Sequence, residues 1–282
     1  MMTNQTHDTG VRRAAVHELL PGTVARGQNF WVQWLEGSAT AHASSGNEML
    51  LLLPDGGATV HSSHAEGIEV HATQVPGRSV CVLPPGAVSV RLAGAGRAAL
   101  IAASRPDLPP DAACNRADYA VPDARVRPLG ADDCYRRRTP STALQVMEVD
   151  AIASPAEKPR LKMFQTDTLS INWVEYQGPR DRRQLSPHHH ADFEQGSLAM
   201  AGDFVHHLRV HWEGDADQWR ADEHLHAPSP SMITVPVLLV HTSEGVGPGR
   251  HLLIDVFSPP RHDFIDNGWV ANAGDYERHK AA

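Results

Sequence analysis

The sequence predicts an all-β protein made of two similar β-units in tandem. Three observations carry this. Short apolar runs recur along the 282 residues, each bounded by Gly, Pro, Asp or Ser. Helical periodicity is weak throughout, and 21 prolines and 22 glycines leave little room for long helices. The order of strand-like runs in the first half also repeats in the second.

In the first half the runs are 30–35, 49–53, 79–83 and 98–102; in the second they are 169–176, 197–200, 204–212, 233–240 and 252–257. Their lengths and boundaries suit the strands of a sandwich or barrel. Trp31-Val32-Gln33-Trp34-Leu35-Glu36-Gly37 is echoed by Trp173-Val174-Glu175-Tyr176-Gln177-Gly178. Ser79 stands five residues before Pro84, as Ser231 does before Pro236. The Arg-led run Arg97-Ala98-Ala99-Leu100-Ile101 parallels Arg250-His251-Leu252-Leu253-Ile254. The expected organisation is a flexible N-terminal segment over 1–25, a first barrel over 26–105 and a second over 160–260. A linker rich in Pro, Asp, Ala and Arg, 106–159, wraps the surface between them. The tail, 261–282, packs down through Phe264, Trp269, Val270 and Tyr276.

Composition narrows the function. A formal charge of −8 argues against nucleic acid and anionic membranes as partners, since both need a basic face. No run approaches the 18 or so apolar residues of a membrane span, and Met1 to Gly10 lacks the apolar core of a signal peptide. Cys81, Cys114 and Cys134 are too few and too scattered for a disulfide framework or a cysteine zinc site. A cytoplasmic protein is expected.

Nine of the 18 histidines fall between His188 and His241. Packing alone rarely gathers histidines, because a buried imidazole needs partners for both ring nitrogens. Neutral imidazole is, however, the commonest metal ligand. In extended backbone His188 and His190 share a face, and His241 from a distant strand can close a mononuclear site. His189 points away. Along 204–212, His207, Arg209 and His211 share one face, while His206, Leu208, Val210 and Trp212 share the other. The apolar content of the second set argues for core contact. An inward Arg209 would clamp a carboxylate, with His207 beside it as a candidate catalytic group; an exposed basic edge is the other reading. His224 and His226 read as loop.

These residues resemble the cupin superfamily, and the duplication resembles a bicupin. His188-x-His190, four residues, Gln195, six residues, Gly202 matches the family's first motif. Pro236-Val237-Leu238-Leu239-Val240-His241 matches its second, with Leu238 where glycine is usual. The resemblance implies two cupin-type barrels (double-stranded β-helix, or jelly roll) with few short helices. It further implies a divalent metal held by His188, His190, His241 and Gln195, with Glu194 as the competing fourth ligand. The spacing to Gly202 favours Gln195; the family's preference for a carboxylate favours Glu194. In the first unit Ser89 stands where the ligand histidine belongs and only His42 and Glu48 remain of the first motif, so that barrel is expected to hold no metal.

The resemblance suggests a metal-dependent enzyme acting on a small anionic organic acid or carbonyl compound. An Fe(II)-dependent dioxygenase cleaving a ring or C–C bond leads. An isomerase or lyase using Zn, Ni or Mn as Lewis acid is the alternative, and a non-catalytic binding or sensing cupin a further one. A homodimer is expected from the family's habit of pairing through sheet edges.

Overall fold

The computed structural model describes residues 12–63, 71–130 and 133–280; residues 1–11 of the expected flexible N-terminal segment lie outside these. The strands are β1 (Ala15–Glu18), β2 (Val24–Arg26), β3 (Trp31–Glu36), β4 (Thr40–Ser45), β5 (Met49–Leu53), β6 (Ala58–Ser63), β7 (His71–Val75), β8 (Ser79–Leu83), β9 (Gly86–Leu92) and β10 (Arg97–Ala102). After them come β11 (Asp133–Arg137), β12 (Gln145–Glu148), β13 (Leu161–Gln165), β14 (Ser170–Gln177), β15 (Gln195–Ala201), β16 (Asp203–Arg209), β17 (Glu223–Pro228), β18 (Ser231–Val235), β19 (Val240–Val246), β20 (Arg250–Phe257) and β21 (Tyr276–Lys280). Among the described residues the one α-helix, α1 (His262–Asp266), is five residues long. None is long and apolar enough to cross a membrane.

Each unit has a six-stranded sheet, ordered β12-β8-β5-β10-β3-β2 in the first and β1-β18-β15-β20-β14-β13 in the second. A smaller sheet closes each barrel: β4-β9-β6-β7 in the first, β17-β16-β19 in the second. The six-stranded sheets pack face to face through Val32, Trp34, Leu50 and Ile101 on one side and Ile171, Trp173, Leu198 and Ile254 on the other. Burying each such side chain contributes about 1.5–3 kcal/mol. Being covered on both faces, β5, and β8 after Ser79, read as continuous apolar runs rather than alternating ones.

The edges of the two sheets are exchanged. β1 precedes the first unit yet pairs with β18 of the second, Val16 opposite Ile233. β12 lies in the expected linker yet pairs with β8 of the first unit, Val146 opposite Cys81. The N-terminal segment is therefore structured over Ala15–Glu18, and the linker supplies a strand instead of only wrapping the surface. Both strands are four residues long and half-buried, so neither carries the apolar signal of a central strand. Each covers an edge that would otherwise expose unpaired N–H and C=O groups.

The ladders also correct the register of the repeat. Arg97 pairs with Glu36 and Arg250 with Gln177. Counting five residues on from each arginine, Ala102 lies opposite Trp31 and Asp255 opposite Asn172. Trp31 thus corresponds to Asn172, and Trp173 to Val32, so the two echoed tryptophans face opposite sides of their sheets. Trp173 lies in the inter-unit core, whereas Trp31 is half-exposed under the Arg26 guanidinium.

The barrel interior of the first unit is filled by apolar side chains, among them Met49, Leu51, Val60, Val90 and Leu100. The turn after Pro84 is shorter than that after Pro236, and Ser89 alternates with buried Val88 and Val90, so it faces outwards. His42, opposite Ser89, is exposed.

Candidate metal centre

The second barrel is built differently. Its interior holds a cavity of about 580 Å³, lined by His188, Gln195, His241, Asp255, Phe257 and Arg261 among others. His188 and His241 form a single antiparallel bridge, each N–H donating to the other's carbonyl at 3.0 and 2.8 Å. The Leu238 N–H donates to His190 O at 2.8 Å, tying the second motif's turn to the first motif. Leu238 takes the left-handed conformation (φ 67°) that the motif's usual glycine would adopt freely. Gly202 (φ 83°) is required by space as well: a Cβ there would lie 2.6 Å from Arg250 O.

These constraints bring the side chains of His188, His190 and His241 together, with one ligand nitrogen from each inside a 4.8 Å span. Gln195 starts β15 with its side chain turned into the barrel, and its Oε1 lies 3.0 Å from His190 Nε2 and 3.2 Å from His241 Nε2. All four expected ligands therefore converge. Glu194 does not join them. Strand alternation turns it to the other side, where its carboxylate accepts from the Gln28 N–H at 2.6 Å and the Tyr119 hydroxyl at 2.8 Å. It belongs to the interface between the units.

The hydrogen bonds assign the ring protons. His188 Nδ1 faces Ser186 O and His241 Nδ1 faces Leu239 O, both at 2.9 Å. A carbonyl only accepts, so each Nδ1 carries a hydrogen, and in the neutral ring Nε2 keeps its lone pair. Burial, helped by the nearby Arg261 charge, lowers the pKa of His190 to about 3. Burial and then His188 lower that of His241 to about 4. Both rings are neutral near pH 7. His241 Nε2 and Gln195 Oε1 are consequently two acceptors facing each other, an arrangement that a cation relieves. Three imidazoles and an amide oxygen suit a divalent transition metal.

Arg261 completes the site. It follows β20, outside the stretch that resembles the cupin motifs. Its guanidinium donates to His190 Nδ1 at 2.8 Å, pairs with Asp263 at 2.7 Å and lies over the rings of Phe257 and Phe264, 5.1 and 4.7 Å from their centres. Lys158, Arg160 and Arg180 line the same cavity, and none has an ion-pair partner among the described residues.

Arg209 and His207 lie elsewhere, a correction to the expectation that they carry catalysis. Arg209 is exposed and paired with Asp222 at 2.5 Å. His207 contacts His224 Nδ1 at 2.7 Å and Glu244 at 2.8 Å on the outer face of the three-stranded sheet. The alternation of β16 explains both: the inward set is Phe204, His206 and Leu208, all buried. Arg261, not Arg209, is the arginine beside the histidine cluster, and the sequence signal for it was only a lone arginine between Pro260 and an aromatic-rich tail.

The fold is all-β, a tandem of cupin-type jelly rolls, as the sequence predicted. No family model matches the chain, and neither does any curated protein sequence. Solved structures do. An oxalate decarboxylase of Bacillus subtilis with Mn(II) centres gives a TM-score of 0.54 at 11% identity, over 91% of this chain and 79% of that one. The oxalate decarboxylase of Lactobacillus farciminis in complex with formate gives 0.54 at 11%, over 89% and 90%. A further oxalate decarboxylase gives 0.55 at 9%, over 88% and 77%. At such identities the likeness establishes the fold. The Bacillus subtilis neighbour carries manganese, so the expectation of an iron dioxygenase gains no support from it.

Proposed function

We propose that this chain is a divalent-metal enzyme acting on a small organic acid by redox-neutral lyase or isomerase chemistry, with its metal held only in the second barrel. The observation that carries the reading is the convergence of Gln195 Oε1 with the lone pair of His241 Nε2 at 3.2 Å, beside His190 and His188. When bound, the metal supplies Lewis acidity to a carbonyl or carboxylate oxygen of the substrate. A neutral amide ligand leaves the ion's positive charge undiminished, which favours an anionic substrate.

The chain's own residues do the rest. Arg261 offers a planar guanidinium to a substrate carboxylate. While it donates to His190 Nδ1, His190 must carry its hydrogen on Nε2, towards Gln195. Were His190 to hold a metal through Nε2, its ring hydrogen would sit on Nδ1, and Arg261 would be free to bind a substrate carboxylate. Lys158, Arg160 and Arg180 at the cavity wall draw anions in. Phe257 and Phe264 keep water from the guanidinium. The fold neighbours act on oxalate, and one was captured with formate, which fits a substrate of this class.

The test is protein loaded with Mn(II), assayed without oxygen against oxalate and short 2-oxo and 2-hydroxy acids. Turnover of a carboxylate without O₂ uptake supports the reading. Turnover that requires Fe(II) and consumes O₂ makes the chain a dioxygenase. Tight binding of metal and acid with no turnover makes it a sensor.

A further inference from the structure

Behind the ligands sits a carboxylate. Asp255 lies on β20, directly opposite Ser197 of β15 and Asn172 of β14. Its Oδ1 accepts from the Gln195 amide nitrogen at 3.0 Å and from the Ser197 hydroxyl at 2.7 Å. The same amide nitrogen donates to Ser197 Oγ at 2.9 Å, and Asn172 donates to the Asp255 carboxylate from the other side.

A glutamine ligand has a defect that a glutamate lacks. One end of its side chain is a ligand oxygen, but the other is an NH₂ that carries no lone pair for a metal. A half-turn of the amide would present this NH₂ to the histidines. With a carboxylate placed against its nitrogen, the amide has one stable orientation.

The first unit provides an internal control. At the ladder positions matching Asp255, Ser197 and Asn172 it has Ala102, Met49 and Trp31. The polar trio occurs only in the barrel that carries the histidine cluster, so the jelly roll as such does not need it.

We infer that Asp255 is a positioning residue that makes Gln195 a metal ligand, by holding its amide with the oxygen towards His190 and His241. The inference rests on the metal reading above. It concerns a residue of the cavity wall that acts through Gln195.

The experiment is a titration of free Mn(II), read by electron paramagnetic resonance, on the full chain in four forms: wild type, Asp255→Ala, Gln195→Glu and the double variant. Thermal melts confirm folding. In the wild-type background Asp255→Ala weakens Mn(II) binding about 10- to 100-fold, the usual effect of removing a group that orients a ligand. In the Gln195→Glu background the same change leaves binding unchanged or tightens it, because either carboxylate oxygen can ligate and a like charge has been removed. Equal weakening in both backgrounds, or no effect in the first, overturns the inference while leaving the metal reading intact. Wild-type protein that binds no Mn(II) overturns both. Should Asp255→Ala not fold, Asp255→Asn in the same two backgrounds carries the same reversal of sign on a smaller scale, since asparagine keeps an acceptor and loses the charge.

Discussion

His241 Nε2 and Gln195 Oε1 face each other 3.2 Å apart with no hydrogen between them. Leu239 O holds the imidazole hydrogen on the far nitrogen, and Asp255 with Ser197 holds the amide nitrogen on the far side. Two acceptors kept in opposition by their own partners describe a cation site.

Removing either outer imidazole empties the site without unfolding the barrel. His188→Ala and His241→Ala are each expected to lose about one equivalent of metal while keeping the wild-type far-ultraviolet circular dichroism. Ser89→Ala, on the outer face of the first barrel, is expected to keep full metal content.

Glu194→Gln separates the two candidate fourth ligands by a different readout. Metal content stays at the wild-type level, because Glu194 faces Gln28 and Tyr119. Stability falls by about 1–3 kcal/mol, the cost of disturbing a buried, charge-assisted pair of hydrogen bonds. Chemical denaturation measures it. Metal loss would return Glu194 to the coordination sphere.

Arg261→Ala is expected to raise the KM of an acid substrate about 10- to 100-fold, equivalent to the roughly 1.5–3 kcal/mol of a hydrogen bond to a charged group. Arg261→Lys recovers part of this, since lysine keeps the charge but not the two-pronged geometry. Arg209→Ala, on the exposed face beside Asp222, changes neither kcat nor KM. Steady-state kinetics of the three variants on one substrate decide the assignment.

The buried histidines set the acid limit of the metal-free protein. Burial lowers His206 to about 3 and His190 likewise, with His241 near 4, against an ordinary value of 6.5. The unfolded chain therefore binds more protons than the folded one between those values. Stability is full above about 6.5 and is lost as pH falls from there towards 4. His206 contacts no ligand, so His206→Leu isolates its share: the melting temperature of that variant should fall less steeply over this window. An unchanged slope would remove His206 from the account.

Much of this was legible in the sequence, for physical reasons that can be named. The spacing from His188 to Gly202 has a physical anchor, because Gly202 must be glycine beside Arg250, and that from Pro236 to His241 closes the same turn with Leu238 in the left-handed conformation. The alternation of β16 separated His206 and Leu208 from His207 and Arg209, but left open which set faced in. The burial of Phe204, His206 and Leu208 against the barrel interior decides that. The exchanged edge strands escaped notice because a four-residue, half-buried strand has no apolar signature. Asp255 did leave one, a lone charge inside the apolar run 252–257. Its role appears only when β14 and β15 bring Asn172 and Ser197 to either side.

The most direct test of the metal centre is elemental analysis of tag-free protein after reconstitution with Mn(II), alongside His241→Ala. About one manganese per wild-type chain, and none in the variant, is the predicted result. A wild-type chain that retains no divalent metal, or a variant that retains as much, would contradict it.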